Sequence, residues 1–290
     1  LAAEPLLAHD AALRDALREG LVADGRIHDA VRLLPAPMQP TNAADWLAQA
    51  IAAHAAGRFP QAADAARRAL ALAPDAAGWN HLGRALHNLG RPFEALDAFR
   101  RAVAIAPDFA PAWQSLGVAE RAAGRLGQAC EAFATAWRLH PSARGAALNL
   151  GKTQLAAERP ADARATFERW LATAPGDADA RVHAGLALHQ LGRPDAAEAA
   201  YREALEAPQP NPLAWLYLGI LLNQQHRRAE AESALRRACT AMPRDPECWA
   251  ELAGFLEVES RLDEMAEVLR TGLGVDRKST RLNSSHTDIS

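Results

Sequence analysis

The chain has 290 residues, 49% of them hydrophobic but only 6% aromatic, and a formal net charge of -3. That balance excludes a general attraction to nucleic acid or to anionic membrane, which needs a basic excess. Its three cysteines, Cys130, Cys239 and Cys248, are odd in number and show no CxxC spacing, which excludes a disulfide framework and a structural zinc site. Alanine dominates the apolar content and suits closely packed helices. Arginine outnumbers lysine throughout, with Lys152 and Lys278 the only lysines, a bias expected of a GC-rich bacterial genome.

Residues 1–42 predict a degenerate helical unit and a linker. Leu13, Leu17 and Leu21 share one helix face, Gly25-Arg26 breaks the run, and Ile27 to Leu34 predicts a second short helix stopped by Pro35. From Ala43 a motif recurs about every 34 residues. Trp113, Leu116-Gly117, Gly124-Arg125, Ala129, Phe133, Ala136 and Pro141 meet Trp79, Leu82-Gly83, Gly90-Arg91, Ala95, Phe99, Ala102 and Pro107 one period earlier. The units fall at 43–75, 76–109, 110–143, 144–177, 178–211, 212–245 and 246–275, each predicting helix A, a turn and helix B.

Within a unit, the small residue of helix A (Gly83, Gly117, Gly151, Gly185, Gly219) lets helix B approach, and the helix-B alanine (Ala95, Ala129, Ala163, Ala197, Ala231) is expected to receive it. The large residue four later fills the seam with the next unit. Asp75, Asp108 and Ser142, each following a closing proline, are expected to begin the next helix. Two units lack the helix-A tryptophan, with Ala147 and Arg181 in its place. Trp137 and Trp170, just upstream on the preceding B helices, are expected to fill the vacated volume from the other side.

This pattern resembles the tetratricopeptide repeat family over nearly all of 43–272. The resemblance implies an all-α, right-handed superhelical solenoid of helix-turn-helix units whose A helices line a concave groove. It also implies which columns face that groove. They carry His81, Arg84, Asn88, Ser115, Arg121, Asn149 and Lys152, a modest basic and amide-rich strip, then His183, Tyr217 and Asn223. Such a strip suits an extended, acidic peptide or protein segment, with amides meeting its backbone. Two specialised patterns of the family are not matched. An asparagine ladder finds only Asn149 in the first column, and a dicarboxylate clamp finds only part of its Lys/Asn set.

No catalytic signature, glycine-rich phosphate loop or cofactor fingerprint occurs, so the expectation is a non-enzymatic scaffold with no cofactor. The rival reading makes the array the recognition arm of a larger sulfotransferase or glycosyltransferase. The histidine pairs 81/87 and 183/189 have a spacing that puts their rings on different helix faces, unsuited to a metal. No apolar run approaches the ~20 residues of a membrane helix. The chain starts at Leu1 rather than methionine, so a signal segment upstream stays open, and the cytoplasm is the expected compartment. Residues 276–286 break the helical period and resemble the in-frame translation of a sequencing adapter, so 276–290 is expected to be a non-native tail without regular structure.

Overall fold

The computed structural model describes residues 42–284; the N-terminal unit and linker expected before Asn42 lie outside these, as do 285–290. Fourteen α-helices and no strand occur among the described residues. The chain divides into two compact units, Leu1–Ala106 and Pro107–Ser290. Unit 1 carries α1 (Ala43–Ala55), α2 (Phe59–Leu72), α3 (Ala76–Asn88) and α4 (Pro92–Ile105). Unit 2 carries α5 (Ala110–Ala122), α6 (Leu126–Leu139), α7 (Arg144–Ala156), α8 (Pro160–Leu171), α9 (Ala178–Gln190), α10 (Pro194–Glu206), α11 (Leu213–Gln224), α12 (Arg228–Ala241), α13 (Pro246–Val258) and α14 (Leu262–Ser284). Odd-numbered helices are the A helices of the repeats and even-numbered ones the B helices.

Every A–B turn is closed by the same device. Gly57, Gly90, Gly124 and Gly192 take positive φ, and at the same register Glu158, His226 and Ser260 do so without being glycine. The left-handed residue lets the next amide reach back five residues, as Arg91 N does to Leu86 O at 3.0 Å and Arg159 N to Gln154 O at 2.9 Å. The helix-end carbonyls are thereby satisfied. Proline in the first turn of α2, α4, α8 and α10 then starts helix B, where its missing N–H costs nothing. Of the three expected helix starters, only Asp75 caps, accepting from Gly78 N at 2.7 Å. Asp108 and Ser142 do not, because α5 and α7 begin one residue later, after Phe109 and Ala143.

The glycine of helix A faces a different partner from the one expected. A Cβ on Gly117 would stand 2.7 Å from Phe133 Cδ1, and one on Gly185 would stand 2.6 Å from Tyr201 Cε1. The same holds for Gly83 against Phe99 and Gly219 against Leu235. The large residue of the same repeat, not the alanine, receives the glycine. The alanine is buried beside it; Ala95, Ala129, Ala163 and Ala197 are fully covered.

The exchange around Trp137 and Trp170 is as expected, and both indoles are buried. The hydrogen bonds sharpen it. Trp113 Nε1 donates to Pro107 O and Trp249 Nε1 to Pro243 O, both at 2.9 Å, the helix-A indole reaching back to the closing proline. Where Ala147 stands, Trp137 donates to Pro141 O at 3.0 Å instead, from the opposite side of the seam. Where Arg181 stands, its guanidinium donates to Pro175 O at 2.6 Å. Trp170 turns to Asp177 Oδ2 at 2.9 Å. Volume and hydrogen bond are both conserved through the swap.

Within the units, consecutive A helices touch (α1 with α3, α7 with α9, α9 with α11, α11 with α13), whereas no two B helices are in comparable contact among the described residues. At two seams of unit 2 the B helices are instead tied by arginine–glutamate squares repeated in register. Arg227 and Arg202 meet Glu198 and Glu230, and Arg261 and Arg236 meet Glu232 and Glu264.

The backbone of 276–284 corrects one expectation, for it continues α14 to Ser284. That stretch holds neither proline nor glycine, and extending an existing helix adds one bond per residue fixed without a new nucleus.

Candidate functional site

In unit 1 the A-helix face gathers His54 from α1 with His81, Arg84 and Asn88 from α3. Asn88 Nδ2 lies 3.1 Å from His54 Nε2 and donates to Arg84 O at 2.9 Å. The His54 ring meets Phe59 edge-on, centroids 5.4 Å apart. Arg84 is exposed, with no ion-pair partner among the described residues. Burial first, then the Arg84 charge, lowers the pKa of both His54 and His81; for His81 the neighbouring His54 adds to this and Asp75 opposes it.

A lowered histidine pKa means that the folded chain binds fewer protons than the unfolded one just below the unfolded value of 6.5. The stabilisation from holding these rings neutral is therefore complete above that value and is lost as pH falls toward the folded pKa. We expect Arg84→Gln to raise the midpoints of both rings in an NMR titration and to soften the acid sensitivity of unit 1. An unchanged His81 midpoint would contradict the assignment.

In unit 2 the expected residues separate by environment. Ser115, Arg121, Asn149, Lys152, Tyr217 and Asn223 are half-buried on the A-helix layer. His183 is not on the surface; at 9% exposure it is buried against Phe167, ring centroids 5.8 Å apart. Its column faces the preceding B helix, so a ring there packs into the seam. Tyr217, one repeat on, likewise tilts over Tyr201 at 6.0 Å.

The cations of this face are engaged internally. Arg121 donates to Asn149 Oδ1 at 3.3 Å and lies 5.7 Å from the Phe133 centroid. Lys152 Nζ reaches both oxygens of Asp179 at 3.2 Å. Asp179 also meets His183 Nδ1 at 3.1 Å, Arg144 at 3.4 Å and Asn211 Nδ2 at 3.5 Å. The His183 hydrogen bond, with the His183 and Lys152 charges behind it, holds the Asp179 carboxyl far below the carboxylate range against the opposing pull of burial. Next to it, burial pushes Asp177 up, but hydrogen bonds from Arg144 and Trp170 outweigh it and leave that pKa lowered too. Sequence columns missed Asp179 because it lies four positions before the first helix-A column and reads there as an ordinary first-turn acid.

Among the described residues no group of three or more His, Cys, Asp or Glu side chains is placed to hold a metal. Cys239 and Cys248 do meet, Sγ of the first donating to the carbonyl of the second at 3.2 Å. Burial raises their thiols to about 11 and about 12, so they remain protonated packing groups.

The B-helix side holds features that the groove columns did not point to. Three clefts recur in register, each between consecutive B helices with a helix-A tryptophan in the wall. One of about 600 Å³ in unit 2 is lined by Leu205, Trp215, Leu218, Leu222 and Ala234, with Arg237 at its rim. Another of about 610 Å³ in unit 1 is built from the register equivalents Leu70, Trp79, Leu82, Leu86, Ala98 and Arg101. The third, about 350 Å³, lies at Trp249 and Leu252 with Glu264, Glu267 and Thr271 around it. They open because the A helices touch and the B helices do not. A cation covers most of the indoles: Arg68 over Trp46, Arg101 over Trp79, Arg169 over Trp137 and Arg237 over Trp215, at 4.6, 4.7, 4.5 and 4.6 Å from the ring centroids.

Family models described as tetratricopeptide repeat match residues 47–108, 120–188 and 182–247. The chain belongs to the tetratricopeptide repeat family. No curated protein matches it. Solved structures resemble it in fold. Pseudomonas aeruginosa pilF is 19% identical over 76% of this chain and 97% of its own, with a TM-score of 0.60. A tetratricopeptide repeat protein from Parabacteroides merdae is 13% identical over 84% of this chain and 97% of its own, at 0.58. YrrB, described as a tetratricopeptide protein with an unusual peptide-binding site, is 20% identical over 64% of this chain and 96% of its own, at 0.52. As a tetratricopeptide repeat protein the chain is a protein-interaction scaffold. No helix among its described residues is long and apolar enough to cross a membrane.

Proposed function

We propose that this scaffold is non-catalytic and holds extended peptide segments along the A-helix layer of each unit. The observation that carries the reading is the engagement of the amides from one side only. Asn149 Oδ1 accepts from Arg121 and Asn223 Oδ1 accepts from Arg228, which leaves both NH2 groups without a partner among the described residues. An extended peptide carries a carbonyl at every residue, and such amides are suited to receive it. Acidic side chains of the ligand are drawn to Arg84 in unit 1. Lys152 serves less as a contact, because Asp179 already neutralises it.

Peptide arrays carrying acidic segments and their amide-substituted counterparts test this. Arg84→Glu is expected to remove the preference for acidic peptides and to leave the amide-substituted ones unaffected. Asn149→Ala with Asn223→Ala is expected to weaken both sets about equally. If acidic peptides bind wild type and Arg84→Glu alike, the acidic preference is wrong; if the double alanine variant binds as wild type does, so is the groove assignment.

A further inference from the structure

We infer that the cleft at Trp249 is a receptor for an arginine side chain of a partner protein, on the face opposite the peptide groove. The first two repeats complete the same site from their own residues. Arg68 stacks over Trp46 at 4.6 Å and pairs with Asp64 at 3.1 Å. Arg101 stacks over Trp79 at 4.7 Å and pairs with Asp97 at 3.0 Å. Each trio places tryptophan on helix A, and arginine with an acid one turn before it on helix B. In the last repeat the register reads Trp249, Glu267 and Thr271. Tryptophan and acid are retained, and the residue between them in charge is replaced by threonine.

Arg236 also lines the cleft, but it is paired with Glu232 and Glu264 and is not stacked on the indole. Thr271 turns its hydroxyl to Glu267 O at 2.9 Å, and among the described residues no guanidinium lies over Trp249. Glu264, in the same cleft wall, is taken by Arg261 and Arg236. Glu267 is exposed and has no ion pair among the described residues, so it is the carboxylate left to meet a ligand. The indole is held in place by its bond to Pro243 O and by the close approach of Gly272, where a Cβ would lie 2.8 Å from Trp249 Cγ. A fixed indole face beside an unpaired carboxylate in a cleft of about 350 Å³ is complementary to a planar guanidinium, which stacks and pairs at once. The register Trp113, Glu131 and Thr135 repeats the incomplete trio earlier in unit 2.

The test is an NMR titration of the full chain with acetyl-Gly-Arg-Gly-amide, reading the indole N–H of Trp249 after its assignment with Trp249→Phe. A saturable shift is expected, roughly tenfold weaker with the citrulline peptide, which keeps the shape and loses the charge. The lysine peptide is expected to fall between them. Thr271→Arg, with unchanged circular dichroism, is expected to silence Trp249 and spare the Trp113 response. Arg101→Thr is expected to open Trp79 to the same peptide, since Asp97 remains. No saturable shift, an equal shift with citrulline, a response that survives Thr271→Arg, or a silent Trp79 in folded Arg101→Thr would each overturn the inference. Because the groove assay uses acidic peptides and different residues, either reading can fail alone.

Discussion

Gly151→Ala adds one methyl group and is expected to cost about 1–3 kcal/mol, as overpacking of a closed core does. The new Cβ would meet Phe167 Cε1 at 2.6 Å and Cε2 at 2.7 Å, and Phe167 is fully buried with no room to retreat. Phe167→Ala alone is expected to cost more, about 3–5 kcal/mol, through the cavity it leaves. Together the two should cost less than their sum, because the alanine methyl occupies part of that cavity and no longer strikes a ring. The chain already contains this combination: the first repeat carries Ala50 at the glycine position and Ala66 at the phenylalanine position, both buried. Hydrogen exchange of α7 and α8 amides is the suitable measurement, since an array can lose cooperativity and defeat a single unfolding curve. Strict additivity of the two changes would show that glycine and phenylalanine do not constrain each other.

Asp179→Ala is expected to destabilise the α7–α9 seam by about 2 kcal/mol, the scale of losing charged hydrogen bonds at a part-buried site. It strips Lys152 and the His183 ring of a carboxylate and leaves Arg144 with Asp177 alone. The pH dependence follows from the lowered carboxyl. Its stabilisation is fully present above the unfolded value of 3.8 and declines as pH falls below that toward the folded pKa. Wild type should thus lose seam stability in acid more steeply than Asp179→Ala, with the two curves converging at low pH. Parallel curves across that range would remove Asp179 from the account.

The repeat, its register and the tryptophan exchange were legible in the sequence, because each is a matter of volume recurring at a fixed period. The glycine's partner was not. Ala129 and Phe133 both lie on α6 within one turn, and spacing alone cannot say which of two neighbours on a helix stands closest to Gly117. Nor was the burial of His183 legible: a column in a repeat gives the direction of a side chain, while the depth depends on how near Phe167 comes from the preceding helix. The engagement of Lys152 hung on Asp179, 27 residues away, and pairings between helices leave no trace in the period. The outer clefts were invisible for a different reason. They are made by the separation of B helices, which no single residue encodes.

The bond from Trp137 to Pro141 also bears on how this array can change over time. Repeat proteins can lengthen or shorten by whole units only if every unit offers the same surfaces to its neighbours. Here the third repeat carries the indole that the fourth lacks, so each fits that neighbour alone. Excising residues 144–177 would bring Trp137 against Arg181, whose own guanidinium already serves the proline carbonyl. Duplicating 110–143 would drive the first copy's Trp137 and the second copy's Trp113 into one space. The middle of the chain is thus locked in number and order, and its units have ceased to be interchangeable parts.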